Sequence, residues 1–264
     1  MLLLAKIAAW SLFAFGAVLF LAQVAAHEVG LWIGRRQARR HGVRTESVGL
    51  LVGGVLGLLA FVLALTLSFA NERFNDRRGG TLTEANAIGT AWLRAKALGR
   101  PQGDDIAALL EEYTKLRIAF VRSEYDPAGL DVISNRTNAL QSAIWTHLST
   151  IVREQPNPVS ASLMASLNEV FDATTAERFA FELRLPPEIL WLLLGLSLLG
   201  MAELGYQVGL RGPRVRVLAA MLAMTWTVVI VVILDLASAR IGNLRTSVSA
   251  YEWTLQGFQA TSMR

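Results

Sequence analysis

The chain of 264 residues contains no cysteine. Disulfides, thiolate zinc sites, iron–sulfur clusters and thiol nucleophiles are therefore excluded. Histidine is scarce, and His27, His41 and His147 lack a ligand spacing such as HExxH, so no metal site is expected. There is no P-loop, no GxGxxG after a strand and no GxSxG elbow. The acid pairs Asp104-Asp105 and Glu111-Glu112 are sequence neighbours on expected helices. Adjacent helical residues point apart, so neither pair makes an acid–base dyad. No catalytic residue, cofactor or enzymatic activity is expected. Charge is low too, at 17% of residues against about 25% in soluble domains, and it avoids four long apolar runs almost entirely.

Those runs are Leu2–Ala26, Val48–Ala70, Pro187–Leu210 and Val215–Ala237. Each is long enough to cross a hydrocarbon core, which takes about 20 helical residues. The expected fold is an all-α integral membrane protein: four transmembrane helices with a helical soluble insertion between spans two and three. The expected domains are spans one and two with an arginine-rich loop (1–70), a helical stalk (71–186), spans three and four (187–240) and a tail (241–264). Arg35, Arg36, Arg39, Arg40 and Arg44 lie between spans one and two, and Arg211, Arg214 and Arg216 between spans three and four. Beside spans, such clusters face anionic headgroups and set orientation rather than bind nucleic acid. Positive-inside reasoning puts both loops in the cytoplasm and the insertion outside. The first run lacks a basic n-region and exceeds a signal peptide's apolar stretch, so it is expected to remain as a span.

The insertion reads as helical. Thr81-Leu82-Thr83-Glu84 fits a capping box opening a helix that Gly99-Arg100-Pro101 ends. A second helix runs from Asp104 or Asp105 to about Tyr125, with Ile106, Leu109, Leu110, Tyr113, Leu116 and Phe120 as its apolar stripe. Asp126-Pro127-Ala128-Gly129 breaks it. Ser134–Glu154 is a third helix, with Leu140, Ile144, Trp145, Leu148 and Ile151 on one side. Ser160–Leu185 is a fourth, leading into span three. The simplest architecture continues spans two and three into the stalk, with the tail against the stalk or a neighbouring subunit.

Span two is the most patterned segment. Gly49, Gly53 and Gly57 are four apart, and Phe61, Leu65 and Phe69 continue the spacing. Small residues at i, i+4 let helices approach closely, and a ring of bulky apolar residues around an axis can gate a pore by dewetting. The same pattern serves ordinary helix packing. Glu203 in span three and Asp235 in span four are intramembrane acids, residues that often act as ion ligands or proton relays. Their structural alternatives are a pair with Arg214 or Arg216 for Glu203, and with Arg240 for Asp235. His27-Glu28 reads as an interfacial pair.

The run Thr83 to Arg94, with Glu84, Asn86, Gly89 and Arg94, resembles the EANAIGTAYLRA signature of a bacterial bestrophin-like family. Leu185-Pro186-Pro187-Glu188-Ile189-Leu190-Trp191, Leu204-Gly205-Tyr206-Gln207 and Asp235 agree with it. After Asp235 the family pattern DLDRPR.G keeps its first acid, Arg240 and Gly242 here but loses its second acid and proline. The resemblance implies a homo-oligomeric ion channel, a pentamer in the bestrophins, in a bacterial cytoplasmic membrane. It implies that span two lines the pore, with Phe61, Leu65 and Phe69 as an apolar neck. The implied permeant ions are inorganic anions such as chloride, drawn by the arginines at the mouths. It also implies a cytosolic insertion, opposite to the arginine argument. No acidic cluster matches a bestrophin calcium clasp. The alternative from another class is a non-conducting scaffold, anchored in the lipid bilayer, whose soluble helices bind a partner.

Overall fold

The computed structural model describes residues 12–40, 45–99, 101–124, 126–183, 185–212, 215–240 and 242–262. Residues 2–11 of the first apolar run, and Arg44, Arg100, Tyr125, Arg214 and Ile241, lie outside them. The described residues are all-α, without a strand. The helices are α1 (Leu12–Arg40), α2 (Thr45–Ala97), α3 (Pro101–Arg122), α4 (Pro127–Glu154), α5 (Pro158–Glu182), α6 (Pro187–Arg211), α7 (Arg216–Ala237) and α8 (Ser249–Ser262). Four stretches are long and apolar enough to cross a membrane: Leu12–Arg39, Val48–Ala97, Pro158–Arg211 and Arg216–Ala237. The third covers α5 and α6, of which α6 is the more apolar.

The chain forms two units, Met1–Arg73 with Arg184–Leu244, and Phe74–Leu183 with Arg245–Arg264. Both are assembled from separated stretches of sequence.

In the first unit, α1 and α6 pack backbone against backbone. A Cβ at Gly30, Gly34 or Gly205 would overlap the carbonyl oxygen of Ala202, Tyr206 or His27. A Cβ at Gly209 would stand 2.5 Å from the Leu31 carbonyl oxygen. Gly30 meets Ala202 and Gly34 meets Tyr206, so the numbering rises together and the helices run parallel. Each helix thus contributes a G-x-x-x-G pair, Gly30 with Gly34 and Gly205 with Gly209, the spacing that permits the closest packing in an apolar solvent. Helix α7 joins through Gly16, whose Cβ would lie 3.1 Å from a Val231 methyl. Phe15, Leu19, Leu59, Leu63, Met201, Trp226, Ile230 and Ile233 form the apolar core.

In the second unit, helices α3, α4 and α5 are antiparallel neighbours in sequence, each opened by a proline. The Asp126 carboxylate accepts from the Ala128 and Gly129 amides at 3.2 and 3.1 Å, with Pro127 in the first turn. The expected break at 126–129 is therefore a cap, and α4 begins there rather than at Ser134. Proline fits because its missing N–H is unbonded in a first turn anyway. Asn157 caps α5 through the Val159 and Ser160 amides, both at 2.9 Å, and Ser160 completes a capping box. Helix α8 closes the unit: Phe258 stacks on Trp92 with ring centroids 4.6 Å apart. Ile88, Ile106, Leu110, Ile144, Leu148, Leu163 and Leu167 fill the core.

Three further sequence expectations change. Thr81 caps nothing: α2 is unbroken across it, and its hydroxyl donates to the Arg77 carbonyl at 2.9 Å. The stalk continues span two but not span three, because the helix stops at Glu182. Pro186 and Pro187 lack the N–H a continuing helix needs, and each disfavours helical geometry in the residue before it. Finally, Arg35, Arg36 and Arg39 belong to the last turns of α1 rather than to a loop.

Candidate functional site

Helix α2 has 53 residues, about 80 Å at 1.5 Å per residue. In the first unit its buried positions are Val52, Leu59, Leu63, Thr66 and Ala70. Their spacings of seven, four, three and four residues make a heptad-like seam against the core. The opposite face is open. Phe61, Leu65 and Phe69 are 61%, 46% and 58% exposed in the single chain. At about 100° per residue, they occupy an arc of roughly 80° centred on Leu65. Glu72 follows seven residues after Leu65 and falls roughly 20° from it, inside the same arc; it too is exposed.

The glycines of this span are placed differently from those of α1 and α6. No atom lies within 4 Å of a Cβ built at Gly53, Gly54 or Gly57, and Gly49 faces the Gln207 side-chain nitrogen at 2.8 Å. Close packing inside the chain is carried by Gly30, Gly34, Gly205 and Gly209, which the spacing argument missed. The signal was present, as two more pairs of glycines four apart.

The intramembrane acids separate. Asp235 accepts from the Asn243 and Leu244 amides at 3.0 and 3.1 Å. Gly242 sits at φ +107, and a Cβ there would overlap the same carboxylate. Asp235 thus organises the turn after α7. One carboxylate oxygen of Glu203 is buried without a hydrogen-bond partner. Arg216, a suggested partner for Glu203, instead donates to Glu28 at 2.9 Å. His27 lies 3.9 Å from Glu28 through Nδ1. Sequence reasoning passed over Gln23 and Thr227, whose buried side-chain polar atoms have no hydrogen-bond partner among the described residues.

The second unit holds a buried ionic cluster around the signature run. Glu84 is fully buried and accepts from Arg117 Nε at 2.7 Å and Nη2 at 3.1 Å. It also accepts from the Thr174 hydroxyl at 2.7 Å and the Tyr251 hydroxyl at 2.5 Å. One carboxylate thereby joins α2, α3, α5 and α8. Such a pair, charge-balanced and bidentate, meets the requirement that buried ions have their hydrogen bonds satisfied. Arg117 also stacks 4.4 Å from the Phe120 ring. Tyr113 is pushed up to about 12 by burial, with the Glu84 charge adding to it. Glu177 is buried nearby, accepts from Thr81 at 2.5 Å and has a second oxygen without a partner. Burial raises its pKa to about 7. Arg117 had one positional signal: it falls one helical turn after Tyr113 on the apolar stripe of α3.

The other signature residues serve the same unit. Gly89 gives α8 room, with Thr254 Cγ2 3.6 Å from where its Cβ would be. Arg94 donates to the Ser162 carbonyl at 2.9 Å, tying α2 to α5. Asn86 instead faces outward. With Thr83 and Thr90 it walls an open cleft of about 610 Å³ whose other side carries Glu169 and Asp172. Among the described residues, no group of three or more His, Asp or Glu side chains is placed to hold a metal ion.

Four membrane-length helices and a separate helical bundle define an all-α membrane protein. The chain belongs to the Bestrophin-like family: the Bestrophin-like domain matches residues 14–251. The fold is similar to a crystal structure of a membrane protein variant, with a TM-score of 0.71 at 14% identity over 94% of this chain and 99% of that one. It is also similar to a variant of a bacterial bestrophin homologue from Klebsiella pneumoniae, with a TM-score of 0.65 at 13% identity over 94% of this chain and 99% of that one. No curated protein matches.

Proposed function

We propose that the chain is the subunit of a homo-oligomeric ion channel of a bacterial cytoplasmic membrane, multi-pass, with α2 of each copy lining a central path. The observation that carries this reading is the asymmetry of α2 in the first unit. One face is a buried seam, and the other presents Phe61, Leu65 and Phe69, each exposed among the described residues. Repeated around an axis, those three become stacked apolar rings one helical turn apart, a constriction that opens and closes by wetting. Gly53, Gly54 and Gly57 stand in open space on the same span. They leave room for the next copy's helix to approach. The family points to five copies.

The arginines favoured chloride at the mouths. Arg216 is paired with Glu28, and Arg36 stacks over the Trp32 ring at 5.4 Å.

The test is conductance of purified, reconstituted protein in planar bilayers. Phe69→Ala and Leu65→Ala are expected to raise it. Correctly assembled protein that stays silent across salts and voltages refutes the reading. A monomer or two-fold dimer with lipid-facing Phe61 and Phe69 favours the scaffold instead.

A further inference from the structure

We infer that the end of the first unit where α1 and α6 finish binds the phosphodiester headgroup of an anionic phospholipid, through Arg35, Arg39 and Arg211. The inference is independent of whether α2 lines a pore. Helices α1 and α6 are parallel, so their last turns lie at one end, with the start of α2 beside them. A Cβ at Gly209 would stand 2.9 Å from the Arg35 amide nitrogen. A Cβ at Gly49 would stand 2.8 Å from Gln207 Nε2 and 3.4 Å from Arg211 Nη2. Two side-chain donors of α6, four residues apart, thus reach the same point. Arg39 follows Arg35 by one turn of α1. Arg35 is half-buried, and Arg39 and Arg211 are exposed. Among the described residues, none of the three is in an ion pair. The acids at this level do not neutralise them: Glu28 accepts from Arg216 at 2.9 Å, and the buried oxygen of Glu203 has no partner.

Depth puts these guanidiniums in the headgroup layer. Trp32 on α1 and Tyr206 on α6 mark the interface, where aromatic side chains with a polar tip concentrate. Arg35 and Arg39 lie about 4.5 and 10 Å beyond Trp32 along the axis, and Arg211 about 7.5 Å beyond Tyr206. The headgroup layer is about 5–7 Å thick on each side, and a long arginine stem can turn back into it. Arg36 stacks over Trp32 at 5.4 Å and joins the aromatic level to the basic one. The two ends of the unit differ in charge. Residues 28–46 and 203–216 hold eight arginines and three glutamates. Among the described residues, the opposite end carries Glu72, Glu188 and Asp235 against Arg73 and Arg240. Guanidinium forks match phosphate oxygens two at a time. A choline headgroup carries the same phosphate, but its ammonium adds like charge to an already basic end.

The experiment titrates dioleoyl phosphatidylglycerol, dioleoyl phosphatidylcholine or inorganic phosphate into the delipidated full chain in detergent, with native mass spectrometry counting bound molecules. One arginine beside an anionic lipid surface is worth about fivefold in affinity, so wild type is expected to bind phosphatidylglycerol at least about tenfold more tightly than phosphatidylcholine. Arg211→Gln is expected to weaken phosphatidylglycerol binding about fivefold, and Arg35→Gln, Arg39→Gln and Arg211→Gln together to bring the two lipids close to parity. The same three positions changed to lysine keep the charge and should keep the preference. Arg153→Gln, which removes one charge from an exposed position on α4, should leave binding unchanged. Equal binding of the two lipids by wild type overturns the inference, and so does a preference that the triple glutamine variant keeps. Inorganic phosphate that displaces the lipid at comparable concentration also overturns it, because the site then takes a free anion. The wild-type comparison decides even where a variant fails to fold. A silent bilayer leaves this inference standing, and indifference to lipid charge leaves the channel reading standing.

Discussion

Raising the pH from about 5 to about 8 is expected to destabilise the second unit, and Glu177→Gln is expected to remove most of that dependence. Glu177 is buried and, among the described residues, accepts from the Thr81 hydroxyl. Burial is the main cause of its raised pKa; Glu84 pushes in the same direction, while the Thr81 bond and the charges of Arg117 and Arg77 pull the other way. The net shift is from 4.5 to about 7. Between those values the folded state holds a proton that the unfolded chain has released. Unfolding free energy therefore falls as pH rises through that window and levels off above it. At 1.36 kcal/mol per unit, the loss is on the order of 3 kcal/mol. For a unit of this size that corresponds to roughly 10–13 °C in Tm. The assay is thermal unfolding of the purified full chain across pH, wild type beside Glu177→Gln. The neutral amide should match wild type at low pH and exceed it above pH 7. Parallel curves, or a wild type that gains stability toward pH 8, refute the reasoning.

Arg117→Met should cost about 3–5 kcal/mol, because it leaves Glu84 as an uncompensated buried charge; chemical denaturation of the same preparation measures it. Gly205→Leu should break the α1–α6 contact by at least the 1–3 kcal/mol typical of overpacking, since even a Cβ there overlaps the His27 carbonyl. Size-exclusion and melting in detergent should show loss of the folded species. Gly53→Leu, at a position open in the single chain, should spare the subunit fold but weaken assembly, seen as a shift toward monomer on cross-linking.

Length and hydropathy alone located the four apolar runs, because spanning imposes a minimum number of apolar residues that little else requires. The continuity of α2 was hidden. Gly79-Gly80 followed by Thr81 and Glu84 has the composition of a loop and a cap. Gly80 is small for a tertiary reason: a Cβ there would overlap the Glu177 carboxylate, which arrives from a helix almost a hundred residues away. The face of Phe61, Leu65 and Phe69 was legible because three bulky residues at fixed spacing need no partner to be noticed. The interior of the second unit was not, because hydropathy assigns Glu84, Arg117 and Glu177 to the surface. Glu84 and Arg117 stay inside by neutralising each other where four helices meet, and Glu177 through the proton that burial favours.

Tyr251 and Phe258 have a bearing on how the protein is made. The helix that carries them closes over Glu84 and Trp92, yet the 61 residues from 184 to 244, including α6 and α7, must be translated first. At about 5–20 residues per second, the nascent chain holds a partly assembled bundle with an unfinished ionic interior for several seconds. Ordering of the bundle thus waits for the last helix. A chain stalled before Tyr251 would carry its spans but leave Glu84 short of its last hydrogen-bond donor, a ready mark by which quality control could tell an unfinished subunit from a complete one.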